Sequence, residues 1–215
     1  MSTFMNETSA IAISAKEKRN WFLFLIGYFL FGYMTLNFYN LNRETYFDVS
    51  FAFEQSLPFF PSAILGYCLV FVSLALTQVL IKTAHAYQRA VVAFLAVTTV
   101  HFLFFYFMPV RMTLRPDLSA SSGVMNFLSH LYFLIDQPTN CFPSLHVAYP
   151  TAATWAIWKS APRWRLPFIV MTLIVAVSVV LVKQHYILDA VVGCLSALLI
   201  CFLTSNTERY WKKFF

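Results

Sequence analysis

Charge is what this chain has least of. Only 11% of its 215 residues are Asp, Glu, Lys or Arg, against about 25% in soluble domains. With 60% apolar residues and a mean hydropathy of +0.67, that scarcity excludes an ordinary soluble domain. Cysteine pairing is missing as a pattern too. Cys68, Cys194 and Cys201 fall inside apolar stretches as small packing residues, and Cys141 stands alone. Neither a disulfide framework nor a CxxC metal site is therefore encoded. Internal repeats, low-complexity tracts and linkers are absent, as are the ten-residue alternating segments of a transmembrane barrel.

What is present is a set of long apolar runs. Six can be marked, at 21–39, 62–81, 90–108, 142–158, 164–182 and 186–203, each 17 to 20 residues long. A helix needs about 20 residues to cross a bilayer core of about 30 Å. In lipid a helix satisfies its own backbone hydrogen bonds, so the expectation is an all-α, polytopic membrane protein with six transmembrane helices. Lys16, Lys18 and Arg19 precede the first run as in a signal peptide. That run is too long for a signal core and no small-x-small cleavage site follows Asn37, so it reads as an uncleaved span. The expected organisation is a mobile cytoplasmic tail over 1–20, one six-span membrane domain over 21–205, and a second cytoplasmic tail over 206–215.

Counting cations by loop orients these spans. With both termini cytoplasmic, the inner segments hold Lys16, Lys18, Arg19, Lys82, Arg89, Lys159, Arg163, Arg165, Arg209, Lys212 and Lys213, eleven of the fifteen Lys and Arg. Only Arg43, Arg111, Arg115 and Lys183 remain on the periplasmic or lumenal side. This is the positive-inside pattern. Orientation and anionic headgroups account for the net charge of +6, so nucleic acid is not expected as a partner. Two outer loops carry most of the remaining polarity. Residues 40–61 read either as an interfacial amphipathic helix or as an aromatic belt. Residues 109–141 form the longest connection and hold Arg111, Arg115, Asp117, His130 and Asp136.

Three of the four outer cations gather around one set of polar residues. Pro143 suits the first turn of a helix, which puts Ser144 and His146 at the outer N-terminus of the fourth span. His185 and Asp189, four residues apart, share a face at the outer start of the sixth, and Lys183 precedes them. Arg and Lys pair with phosphate oxygens, and a helix N-terminus with a serine adds donors for an anion. A histidine backed by a carboxylate suits a nucleophile or base, and a second histidine can protonate a leaving oxygen. Phosphoryl transfer through a covalent histidine uses all of these parts and needs neither metal nor cofactor. His101, inside the third span, reads as a packed or hydrogen-bonded core histidine, and His85 as a solvated loop residue. His130 is uninformative.

Pro143-Ser144-Leu145-His146 resembles the PSxH motif of the type 2 phosphatidic acid phosphatase superfamily, the vanadium-haloperoxidase-like fold. His185-Tyr186-Ile187-Leu188-Asp189 resembles the HxxxD part of its last motif, and Arg115-Pro116 the end of its first. The resemblance implies a phosphatidic acid phosphatase type 2-like helical bundle acting on a membrane lipid phosphate. It makes His185 the nucleophile, Asp189 its orienting partner and His146 the general acid, with Ser144 and Arg115 holding the phosphoryl oxygens. Two positions depart from the pattern: Met108 stands where a lysine is usual, and Val179 where an arginine is usual. Arg111 and Lys183 are the nearest substitutes as phosphate-binding cations. The Lys-Gln-His-Tyr and Phe-Pro-Ser-Leu-His forms resemble the branch containing inositol phosphorylceramide synthases, in which a lipid hydroxyl accepts the phosphoryl group. Hydrolase and transferase both stay open at this level. So does a non-catalytic binder or transporter of anionic lipid; a metal or haem protein using the histidines is opposed by the neighbouring cations.

Overall fold

The computed structural model describes residues 11–215. Residues 1–10 of the expected tail lie outside the described residues, and 15–20 are helical. Helix α1 (Ala15–Leu41) starts six residues before the apolar run because Ser14 and Glu17 form a capping box. Ser14 Oγ accepts from the Glu17 amide at 3.1 Å while Glu17 Oε2 accepts from the Ser14 amide at 3.0 Å, satisfying two N-terminal amides reciprocally. Just before it, the Ile13 amide donates to the Lys82 carbonyl at 3.0 Å, and the Ala84 amide to that of Ile11 at 2.8 Å. Lys18 then donates to the Gln78 carbonyl at 2.7 Å and to that of Ile81. The basic stretch thus caps the end of a neighbouring helix.

The remaining helices are α2 (Pro61–Leu80), α3 (Ala84–Phe107), α4 (Val124–Ile135), α5 (Leu145–Ile157), α6 (Pro162–Leu181) and α7 (Ile187–Asn206), followed by a short C-terminal turn of helix, Glu208–Trp211. Among the described residues five, α1, α2, α3, α6 and α7, are long and apolar enough to cross a membrane. The protein is an all-α, polytopic membrane bundle. The fourth apolar run yields a shorter helix than its length suggested. Residues 142–144 form the approach to α5, leaving 13 helical residues, or about 20 Å at 1.5 Å per residue.

That short helix is the hub of the bundle. It packs against α2, α3, α6 and α7, and Ala148, Ala152 and Ala153 on it are fully buried. Small side chains let backbones approach where lipid supplies no hydrophobic drive for association. Outward faces behave oppositely: Phe31 and Phe38 on α1, Leu173 on α6 and Leu195 on α7 are all exposed, as a lipid-facing surface requires. The long connection 109–141 folds part of itself into α4, an apolar helix of 12 residues. Beyond the end of α1, the 3₁₀ turn Ala52–Ser56 is the one helical piece before Pro61, and it turns Glu54 into the protein, 1% exposed.

Candidate active site

Two helix starts and one helix end build the site. Helix α6 stops because Lys183 adopts a left-handed conformation, φ 54°, which lets the Gln184 and His185 amides turn back to the Val179 carbonyl at 2.9 and 3.1 Å. Three residues after Lys183, Tyr186 caps α7. Asp189, in the first turn of that helix, accepts from the Tyr186 amide at 2.9 Å, and the same Oδ2 lies 3.3 Å from His185 Nδ1. One carboxylate therefore caps the helix and fixes the imidazole.

Ser144 begins α5 beside it. Its amide donates to the Asp189 carbonyl at 3.0 Å, which ties the two motif segments through their backbones. Gly193, one turn further along α7, makes this approach possible: a Cβ there would meet the Ser144 carbonyl oxygen at 2.5 Å. The strand of loop before Ser144 is held by α1. Asn40 Nδ2 donates to Asn140 Oδ1 at 2.7 Å, Asn140 Nδ2 to the Tyr33 carbonyl at 3.3 Å, and Thr139 to Asn37. Asn37, inside the first apolar run, and Asn40, just past its end, thus have a positional reason to be polar.

The assembled side chains form a line. Asp136 Oδ2 lies 3.6 Å from His146 Nε2, His146 Nδ1 lies 3.0 Å from His185 Nε2, and His185 Nδ1 lies 3.3 Å from Asp189 Oδ2. Two carboxylates therefore bracket two histidines whose facing nitrogens converge. Asp136 was read in the sequence only as loop polarity, yet it is a buried hub. Tyr33 and Gln184 donate to its carboxylate, Tyr67 does so at 3.2 Å, and Arg115 Nη1 donates to its carbonyl at 2.9 Å. Burial pushes the Asp136 carboxyl above its ordinary range, while the Tyr33 hydrogen bond and the Arg115 charge pull it back. The Tyr67 ring packs 4.7 Å from that of His146, centroid to centroid.

Arg115 stands in this network. Nη2 donates to Gln184 Oε1 at 2.5 Å, the guanidinium lies 4.5 Å from the centroid of the Phe133 ring, and Nε is buried with no partner among the described residues. Ser144 sits against Asp189, but its Oγ accepts from the Val147 amide at 3.4 Å, as a helix cap does. Lys183 is buried and donates to the Glu54 carbonyl at 3.0 Å. Arg111 is exposed, with its guanidinium 5.3 Å from the Tyr46 ring centroid, beside a small pocket of about 190 Å³ shared with Asp48, Thr113 and Tyr186. Histidines and Arg115 are therefore drawn into one network, whereas Lys183 and Arg111 serve neighbouring segments.

Glu54 is the second carboxylate whose place the sequence did not reveal. Its Oε1 accepts from the Ile187 amide at 2.6 Å and its Oε2 from that of Phe51, also at 2.6 Å, so the outer loop closes over the start of α7. Cys141, His185 and Asp189 offer ligand atoms within 4.8 Å of one another. Burial raises the Cys141 thiol well above its ordinary pKa, disfavouring the thiolate that a metal needs, and its Sγ faces the carbonyls of Pro138, Thr139 and Gln184. His101 matches its expected core role, with Nδ1 2.8 Å from the Val97 carbonyl oxygen and Nε2 3.3 Å from Ser196 Oγ. His85 is not a solvated loop residue: it lies on α3 with Nε2 2.5 Å from Glu208 Oε1.

Residues 38–203, well over half of the chain, match the family model described as PAP2 superfamily. No curated protein and no solved structure gives a match.

Proposed function

The chain belongs to the PAP2 superfamily, and on that premise we propose that it transfers or hydrolyses the phosphoryl group of a membrane lipid phosphate. It is a membrane enzyme of the phosphatase and phosphotransferase kind, with His185, Asp189 and Cys141 clustered at its polar centre. The observation that carries the proposal is the 3.0 Å approach of His146 Nδ1 to His185 Nε2, with a carboxylate behind each ring.

In the proposed reaction the phosphoryl group enters between these nitrogens. His185 Nε2 attacks phosphorus with its lone pair, the bond to the leaving oxygen breaks, and His146 gives that oxygen its proton. Asp189 keeps the His185 proton on Nδ1, so that Nε2 is the free nucleophile. Asp136 faces the other side of His146 and stabilises its protonated form. In the second half, neutral His146 takes a proton from water or a lipid hydroxyl, whose oxygen attacks the phosphohistidine and frees His185. Arg115 Nε and the amides at the start of α5 are donors for the phosphoryl oxygens. Ser144 contributes chiefly by placing those amides, with exposed Arg111 as the outer cation for the lipid headgroup, while Lys183 acts from behind by holding the Glu54 loop over the site.

The chain's path supports a sixth crossing. Helices α6 and α7 join at the histidine end, and α6 begins at the other end, so the chain between Met108 and Pro162 must traverse the bundle through α5. Its 13 residues suffice because the approach through Cys141, Phe142 and Ser144 is buried in protein, where non-helical backbone is tolerated at membrane depth. The cation count favours both termini in the cytoplasm and the histidines at the periplasmic or lumenal face. One membrane domain over 21–205 with a tail at each end fits this arrangement.

A transferase of the inositol phosphorylceramide synthase type is the closest alternative. The observation favouring it is burial: His185 is 3% exposed, and excluding water protects a phosphohistidine until a lipid hydroxyl arrives. Purified protein incubated with ³²P-labelled phosphatidic acid, with and without diacylglycerol or ceramide, separates the readings. Free phosphate alone marks a phosphatase, and labelled lipid product that needs the acceptor marks a transferase. Lipid binding without turnover at any pH, with no acid-labile phosphoprotein, would leave only the non-catalytic binder.

A further inference from the structure

A cavity of about 1120 Å³ lies at the end of the bundle away from His146 and His185, among α3, α5, α6 and α7. Its origin is in the packing. Helices α6 and α7 join at the Lys183 turn and both pack more closely on α5 than on each other, and the cavity is lined by residues of all three. The walls are apolar, and Leu173, Leu198 and Phe202 at its edges are exposed, so the cavity opens sideways towards lipid. Thr151, Thr154 and Thr172 also line it, each with its hydroxyl donating to a backbone carbonyl of its own helix.

Three cations converge on the same cavity: Lys82, Arg89 and Lys159. The positive-inside bias accounts for their side of the membrane, but not for their meeting at one opening. Lys82 and Lys159 are exposed and have no acidic partner among the described residues. Arg89 Nη2 donates to Ser205 Oγ at 3.0 Å, and its Nε lies 3.8 Å from Glu208 Oε2. Glu208, the one acidic residue lining the cavity among the described residues, also holds His85.

We propose that this cavity is a second lipid site, taking an anionic phospholipid with an acyl chain within it and the phosphate among Lys82, Arg89 and Lys159. Volume, lateral opening and charge agree on that occupant. Pockets for whole small molecules run to about 1,000 Å³, so the space exceeds what a headgroup needs. A basic pocket between spans is the arrangement that receives anionic headgroups from the inner leaflet. Glu208 pairs with Arg89 at the cationic rim, and a phosphate would compete with it.

Trp155, which lines the cavity, provides the readout. Full-length protein is placed in nanodiscs with dibrominated phosphatidylglycerol or dibrominated phosphatidylcholine, and quenching of Trp155 is taken as the difference from Trp155→Phe. Stronger quenching by the anionic lipid is expected, at least threefold in relative affinity. Lys82→Gln/Arg89→Gln/Lys159→Gln should erase that preference, and Ala156→Phe, which fills the cavity with charges intact, should weaken quenching by both lipids. Melting curves of each variant establish that it is folded. Equal quenching by the two headgroups overturns the proposal in favour of ordinary annular lipid. Displacement by inorganic phosphate as readily as by phosphatidylglycerol assigns the cations to free anion, and no quenching with crosslinking of copies across α6 and α7 assigns the cavity to self-association.

Discussion

The two ends of this bundle handle polar residues in opposite ways. At the histidine end Asp136, His185 and Asp189 are at most 5% exposed, and each is tied to backbone or to another side chain. At the far end Lys82 and Lys159 are exposed around an open cavity. Desolvated charges hold their geometry only when their neighbours are fixed, so the first end is preorganised for one transition state. Exposed lysines on flexible stems adapt, and they suit a ligand whose headgroup is recognised mainly by charge.

The strongest way to sharpen it is His185→Ala. Turnover on a lipid phosphate should fall by roughly 10⁴-fold or more, as when an acting unit loses its nucleophile, with no acid-labile phosphoprotein in a single-turnover quench. Headgroup preference at the far cavity should not change. Residual turnover within tenfold of the parent would remove His185 from the nucleophile role.

Asp136→Asn tests the unexpected member of the line. Loss of the carboxylate behind His146 should lower turnover by about 10²-fold, the lower range for acid–base contributions. Its stability effect carries a pH signature. Burial raises the Asp136 pKa above the reference value of 3.8, so the folded protein binds this proton more readily than the unfolded chain. Stability from this group is complete below the unfolded pKa and is lost as pH rises through the folded pKa. Asparagine cannot ionise, so the melting temperature of the variant relative to the parent should climb across that window and then level. A difference that stays flat with pH would mean the two states bind the proton equally.

Gly193→Ala probes how closely the two motif segments must approach. The added Cβ would press on the Ser144 carbonyl and should cost about 1–3 kcal/mol, as overpacking does. Activity should fall with it because Ser144 and Asp189 are joined through their backbones. An unchanged melting temperature together with full activity would show that the contact can relax.

The smallest effect is expected at the far end. Glu208 is partly exposed in its pairs with His85 and Arg89, and pairs of that kind contribute about 1 kcal/mol at most. Glu208→Gln should therefore barely move the melting temperature while raising the preference for phosphatidylglycerol severalfold. A weakened preference would mean that Glu208 organises the cations instead of competing for them.

Much of the site was legible because membranes punish exceptions. His146, His185 and Asp189 stood out as ionisable groups at the borders of apolar runs, and motif spacing linked them to Arg115. Asp136 and Glu54 gave no such signal. A carboxylate in a polar loop looks the same whether it is solvated or folded into the core, and both become partners only when residues 100 or more positions away arrive, as Tyr33 and Ile187 do. His85 was misplaced for the same reason, since Glu208 reaches it from 123 residues along the chain. Apolar run length also overstated α5, because Phe142 and Pro143 are as apolar as the helix they precede.

Composition and periodic apolar length determined the class, the long helices and the candidate chemistry, because each follows from local transfer costs that a chain carries wherever it folds. Tertiary structure alone decided which charges meet. Whether a cation joins a buried side-chain network, a backbone carbonyl or an exposed aromatic ring depends on helix ends that converge across the bundle. Arg115, Lys183 and Arg111, alike in the sequence, received three different surroundings from that convergence.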